Sequence, residues 1–143
     1  MKEEQNITHA PFKFKGFIIT ESKIKIEPST KGKSIEVKIK PEGIINEEKK
    51  IFEVQLLISL KSEDGLKVSV KMIGSFEFKE VLKMEHLKNY FYVNAPAIMF
   101  PYLRSYISAL TALSGCSTII IPPMNMVSLG KNLEKNTTTE QSK

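Results

Sequence analysis

One stretch limits what this chain can fold into more than any other: Asn94-Ala-Pro-Ala-Ile-Met-Phe-Pro-Tyr-Leu-Arg-Ser-Tyr-Ile-Ser-Ala-Leu-Thr-Ala-Leu-Ser-Gly115. It is the only long segment that reads as a helix. Asn94 is the expected N-cap, and Pro96 falls in the first turn, where a missing N–H costs nothing. Gly115 stands just past the last apolar position and can take the left-handed conformation that closes a helix. Between them Ile98, Phe100, Leu103, Ile107, Leu110 and Leu113 recur at spacings of two to four, and Tyr102 and Tyr106 add a partly polar stripe. Such a helix is apolar over much of its circumference and must be buried on more than one side. Pro101 lacks an N–H and crowds the carbonyl four residues back, which predicts a kink or a fresh start there. Two apolar sides need two covers: a sheet of the same chain for one, a second copy of the molecule for the other.

The sheet is written upstream. Phe12-Lys-Phe-Lys-Gly-Phe-Ile-Ile19 alternates apolar and basic residues with period two, and Gly16 breaks the phase, which predicts a bulge. Lys23-Ile-Lys-Ile26 continues in extended form, and Glu27 to Ser34 reads as a loop. Ile35 to Lys40 is the clearest alternating strand, followed by a charged loop from Pro41 to about Lys50. Ile51 to Leu60 places Phe52, Val54, Leu56, Ile58 and Leu60 on one side. Asp64-Gly65 marks a tight turn, and Leu66 to Met72 runs on in phase to Phe76 and Phe78. These strands predict an antiparallel meander with one apolar and one lysine-rich face. Glu80 to Tyr92 reads as a short helix or turn. The expected fold class is α+β: a four-stranded antiparallel sheet, ordered as a meander, packed by one long C-terminal helix, with a truncated second helix. The expected organisation is a flexible N-terminus over 1–10, one domain over 11–129, and a disordered polar tail over 130–143.

At 143 residues one modest core is expected. No apolar run is long enough to cross a bilayer and the polar N-terminus has no signal-peptide core, so a cytoplasmic protein without membrane insertion is expected. The single cysteine, Cys116, excludes an intramolecular disulfide and reads as a small buried hydrophobe. The net charge of +5 comes almost wholly from lysine, Arg104 being the one arginine. Arginine clamps phosphates and reads bases, so the lysine excess reads as a solvated face and no nucleic-acid partner is expected. Gly32-Lys33-Ser34 lacks the leading glycine of a phosphate-binding loop and precedes a strand where a helix is required. His9 and His86 have no metal-ligand setting, and no nucleophile motif is present. Neither an enzyme nor a cofactor is expected.

The region 94–129 resembles the SecB export-chaperone family. The resemblance rests on Ala95-Pro-Ala-Ile-Met-Phe-Pro-Tyr-Leu-Arg104, the helix to Gly115, and Ile121-Pro-Pro-Met-Asn-Met126. In the family a Phe-Pro-Tyr-x-Arg helix precedes an apolar segment and a Leu-x-Pro-x-Asn-Phe stretch. Gly74-Ser-Phe-Glu-Phe78 is similar to the family's Gly-x-Phe-x-Ile at the end of its last strand. The resemblance implies a dimer of dimers with the long helix packed between subunits. It also implies that unfolded polypeptides are held, without ATP, in a long apolar groove until they are handed on.

Residues for these roles follow. Phe76, Phe78, Ile119, Ile121, Met124 and Met126 are candidates for client binding, since methionines repack around varied partners. Phe100, Tyr102, Arg104, Tyr106 and Leu110 are candidates for the subunit interface. The chain also departs from the family. Met126 to Glu134 is short for a second groove-flanking helix, and Gly130 interrupts it. The loop after the first strand is polar, and there is no tryptophan. Family carboxylates on the outer sheet face dock the translocase motor SecA; here Glu21 keeps one, Lys25 reverses one, and Lys67 and Ser69 replace others. These changes argue against docking SecA in the usual way. The alternative is a SecB-like chaperone dedicated to one partner, for instance an antitoxin that is unstable alone.

Overall fold

The structure, a computed structural model, describes residues 12–28, 31–79 and 91–140. The N-terminal segment, His9, His86 and the short helix or turn expected from Glu80 lie outside the described residues. Strands β1 (Phe12–Ile26), β2 (Ile35–Asn46), β3 (Ile51–Ser62) and β4 (Leu66–Phe78) are followed by helix α1 (Tyr92–Leu113), helix α2 (Met126–Lys135) and a short strand β5 (Thr137–Glu140).

The four expected strands form, and their order across the sheet is β1-β4-β3-β2-β5. β2, β3 and β4 follow one another as the meander requires. β1 instead pairs antiparallel with β4, on the far side from β2. The connection from Glu27 to Ser34 makes that possible. Both its ends lie at the β3–β4 hairpin end, where the Glu27 N–H donates to the Gly65 carbonyl (2.8 Å) and the Glu63 N–H to the Ser34 carbonyl (2.9 Å). Eight residues reach roughly 26 Å, enough to step over two strands about 4.8 Å apart. Gly65 has φ +100°, as the Asp-Gly turn requires.

Two strands run further than their sequence suggested. β1 is continuous to Ile26, with register shifts at Phe14/Gly16 and Ile19/Glu21; Gly16 has φ +124°. The first shift is the expected bulge. β2 continues through Pro41 to Asn46 rather than ending in a loop. The Pro41 carbonyl accepts from Asn136 Nδ2 (3.1 Å), so it points away from β3. In extended chain a residue's nitrogen and carbonyl share a side, so the missing N–H costs no bond to β3.

The tail expected to be disordered from 130 is instead the second half of α2 followed by β5, which pairs parallel with Gly43–Asn46. Leu129 and Leu133, four apart on α2, are both buried. Gly130 does not interrupt this helix; it lets the helix pack. A Cβ there would lie 2.7 Å from the Tyr92 carbonyl oxygen. Pro96 has no N–H to give that carbonyl, and the backbone of α2 approaches it instead. Asn125 caps α2, its Oδ1 accepting from the N–H groups of Val127 (3.0 Å) and Ser128 (3.1 Å).

Candidate polypeptide-binding and assembly surfaces

The inner face of the sheet is closed by α1. Phe52, Val54, Leu56 and Ile58 of β3 and Val70, Met72 and Phe76 of β4 are fully buried beneath it. Rings gather at one end: Phe91 sits 4.0 Å from Phe52, 4.7 Å from Phe12 and 5.2 Å from Phe76, centroid to centroid. α1 begins at Tyr92, so Asn94 lies inside it and is not its cap. The helix continues through both Pro96 and Pro101. It ends as expected: Gly115 has φ +84°, its N–H donates to the Ala112 carbonyl, and the Cys116 N–H donates to the Thr111 carbonyl (3.1 Å).

One side of α1, formed by Ala95, Met99, Leu103 and Ile107, is fully buried. Gly74 permits the approach, since a Cβ there would lie 2.7 Å from Met99 Sδ. The flank beside it is partly open. Ile98 (36% exposed), Tyr102 (47%) and Leu113 (88%) reach the surface there. Phe17 of β1, itself exposed, lies against Tyr102 at 5.0 Å. Of the candidate interface residues, Phe100 is buried, Tyr102 is exposed, and Arg104, Tyr106 and Leu110 are half-buried. Arg104 lies 6.0 Å from the Phe100 ring, and its buried Nε has no hydrogen-bond partner among the described residues.

The segment from Cys116 to Asn125 lies along α1, held by two hydroxyls three residues apart on the helix. Thr111 Oγ1 accepts from the Ile119 N–H (3.0 Å), and Ser108 Oγ donates to the Ile119 carbonyl (2.7 Å). The pair serves Ile119 as a neighbouring strand would. Ile119 and Ile121 consequently turn inward and are buried, while Ile120 between them is 71% exposed. Sequence reasoning missed Ser108 and Thr111; hydroxyls at i and i+3 inside an apolar helix were the available signal.

The six candidate client residues therefore divide. Phe76, Phe78, Ile119 and Ile121 are core, and Met124 and Met126 are half-buried against it. The large apolar groups exposed at the end of α1, on the extended segment and at the start of α2 are Leu113, Ile120 and Val127. Tyr92 closes the α2 end of the core: burial pushes its phenol above the usual tyrosine range, Glu134 adds to the rise, and a hydrogen bond with Thr137 opposes it.

The outer face of the sheet is polar. Glu21 lies 2.8 Å from Lys23 and 3.7 Å from Lys71, and the hydrogen bond and charge of Lys23 hold its carboxyl below the usual range. Among the described residues no helix is long and apolar enough to cross a membrane, and no group of three or more His, Cys, Asp or Glu side chains could hold a metal ion.

A mostly antiparallel sheet backed by one long helix, an extended segment laid along that helix and a short capped second helix is the α+β arrangement of a known chaperone fold. The family model described as preprotein translocase subunit SecB matches residues 21–136, and the chain belongs to the SecB family. It is similar to an uncharacterised protein of Methanocaldococcus jannaschii, 30% identical over 94 residues, covering 63% of this chain and 60% of that protein. It is also similar to the protein-export protein SecB of Ehrlichia canis, 23% identical over 130 residues, covering 83% of this chain and 68% of the other. Among solved structures it matches a Mycobacterium tuberculosis SecB-like chaperone in complex with a ChAD peptide from the HigA1 antitoxin, with a TM-score of 0.69 at 13% identity, covering 82% of this chain and 91% of that one.

Proposed function

We propose that this protein is an ATP-independent holdase that keeps polypeptides from folding or aggregating until they are passed on, and that it works as a dimer of dimers. The observation that carries this reading is the apolar surface left open along α1 and the segment beside it. Contiguous exposed apolar surface on a chain that already has a closed core usually marks an interaction site.

The surface has two uses in this reading. Tyr102, Tyr106 and Leu110, with Ile98, form the subunit interface, with buried Phe100 and half-buried Arg104 at its margin, and the Arg104 guanidinium offers its outer N–H groups to a carboxylate or carbonyl of the second copy. Clients lie beside it on Leu113, Ile120, Met124, Met126 and Val127, over a floor made by Ile119, Ile121, Phe76 and Phe78. Export is a natural destination for such clients, but the outer face does not favour the motor SecA as receiver: Glu21 is engaged by two lysines, and Lys25 and Lys67 bring the opposite sign.

The test is aggregation of a panel of unrelated denatured proteins, followed by light scattering during refolding. Suppression across most of the panel is the expected result. No suppression of any member would remove the general holdase reading and leave the second one, a chaperone dedicated to a single partner. The specific observation behind that second reading is the brevity of α2, ten residues long, which gives a client groove little of a second wall.

A further inference from the structure

The outer face of the sheet carries a groove that the proposed holdase surface does not use. It lies at the β3–β4 hairpin end and has a volume of about 470 Å³. Five lysines line it, Lys23, Lys25, Lys38, Lys61 and Lys67, against one carboxylate, Glu36. The strand register explains the concentration of charge. Lys25 of β1 pairs with Lys67 of β4, which pairs with Lys61 of β3, which pairs with Glu36 of β2. Three lysines therefore stand side by side across three adjacent strands. Like charges directly opposite one another destabilise a sheet. Lys25 is tied to Glu27 (2.9 Å), and Glu36 is drawn to Lys38 (3.5 Å). The middle of the row has no such relief from the carboxylates nearest to it.

The next row, two residues along, is Lys23-Ser69-Ser59-Lys38. Its small centre makes the groove: two serines lie between flanking lysines, and the lysine stems form apolar walls. Across the row Lys25, Lys67 and Lys61 follow one another at the strand spacing of about 4.8 Å, and Lys23 lies two residues from Lys25 along β1, at roughly 6.8 Å. A run of carboxylates on an extended polypeptide is the complementary charge for these five lysines.

We propose that this groove binds an extended acidic segment of a partner polypeptide, with carboxylates paired to Lys25, Lys61 and Lys67 and the peptide backbone over Ser59 and Ser69. Only the choice of a polypeptide occupant rests on the reading of the protein as a polypeptide binder; the sign of its charge comes from the sheet. The site is on the opposite face from α1, so occupation of one leaves the other open.

The probe is a fluorescein-labelled twelve-residue peptide with glutamate at alternate positions, compared with its glutamine counterpart and with a labelled single-stranded oligonucleotide, all by anisotropy. The acidic peptide is expected to bind, to weaken as salt is raised from about 50 to about 200 mM, and to outcompete both comparators. Lys61→Glu/Lys67→Glu is expected to weaken it by roughly tenfold or more, since it reverses two charges of the row. The milder Lys67→Gln gives a second reading should the double variant fold poorly. No binding by the wild type, equal binding of the glutamine peptide, equal affinity in the variants, or tighter binding of the oligonucleotide would each overturn the proposal. Aggregation suppression measured on the same variants separates the two sites: it is expected to stay at the wild-type level, whichever way the peptide experiment falls.

Discussion

Helix α1 has two apolar sides made of similar residues, and the chain seals only one of them. Ala95, Met99, Leu103 and Ile107 are fully buried against the sheet, while Ile98, Tyr102 and Leu113 on the neighbouring flank keep a third or more of their surface exposed. The difference is in what stands opposite. Facing the sealed side, Gly74 has no side chain to hold Met99 away. Facing the open flank, Phe14 and Phe17 cover only part of Tyr102. Apolar spacing along a helix specifies that a side must be covered; it does not say by what. A side left uncovered by its own chain is where a second copy or a client gains the roughly 25 cal/mol per Å² that burial returns.

The largest effect expected from breaking this contrast is on the sealed side. Leu103→Ala should cost roughly 2–5 kcal/mol in denaturant unfolding, because the cavity sits under a helix pinned at both ends. A cost near zero would show that α1 does not rest on the sheet as described. Next is Gly130→Ala, expected to cost about 2 kcal/mol, since its methyl group meets a backbone carbonyl that cannot swing away. Faster amide hydrogen exchange at Leu129 and Leu133 would locate the damage in α2; unchanged exchange would remove Gly130 from the packing argument.

A smaller loss, about 1–2 kcal/mol, is expected from Thr111→Val, which leaves the buried Ile119 N–H without its acceptor. Thr111→Ser keeps the hydroxyl and should restore most of it in thermal melting. The smallest effect on folding belongs to the open side. Tyr102→Ser should change the stability of the dissociated chain by no more than about 1 kcal/mol, the worth of its ring contacts with Phe14 and Phe17, yet weaken self-association in sedimentation. A large loss of stability with association intact would reverse the assignment of the two sides.

The strands, the bulge at Gly16, the hairpin turn at Gly65 and the helix end at Gly115 were legible because each depends on local conformation: period-two alternation or positive φ. The failures share a different cause. Asn94 offered good capping chemistry, but α1 starts two residues earlier, among Phe91 and its ring partners, where tertiary packing outweighs a cap. Pro41 read as a strand breaker because its edge position is not visible until β2 is placed beside β3. Gly130 read as a helix breaker because the carbonyl it accommodates lies far away in sequence. The polar tail from 130 read as disordered because Leu129 and Leu133 are few, and their burial depends on α1 being present beneath them. Among the client candidates, apolarity alone did not say which residues face out: the alternation of Ile119, Ile120 and Ile121 between core and surface is set by two hydroxyls on α1. Ile120, the residue that reaches the surface, was the one passed over.

The most direct test of the open side is the mass of the protein by light scattering after gel filtration, for the wild type and for Tyr106→Asp and Tyr102→Asp. A wild-type mass that is a multiple of 16.2 kDa, falling in the variants while their circular dichroism is retained, is the result expected if α1 meets a second copy. A wild type that stays at a single-chain mass at micromolar concentrations, or an assembly whose mass neither substitution changes, would contradict it.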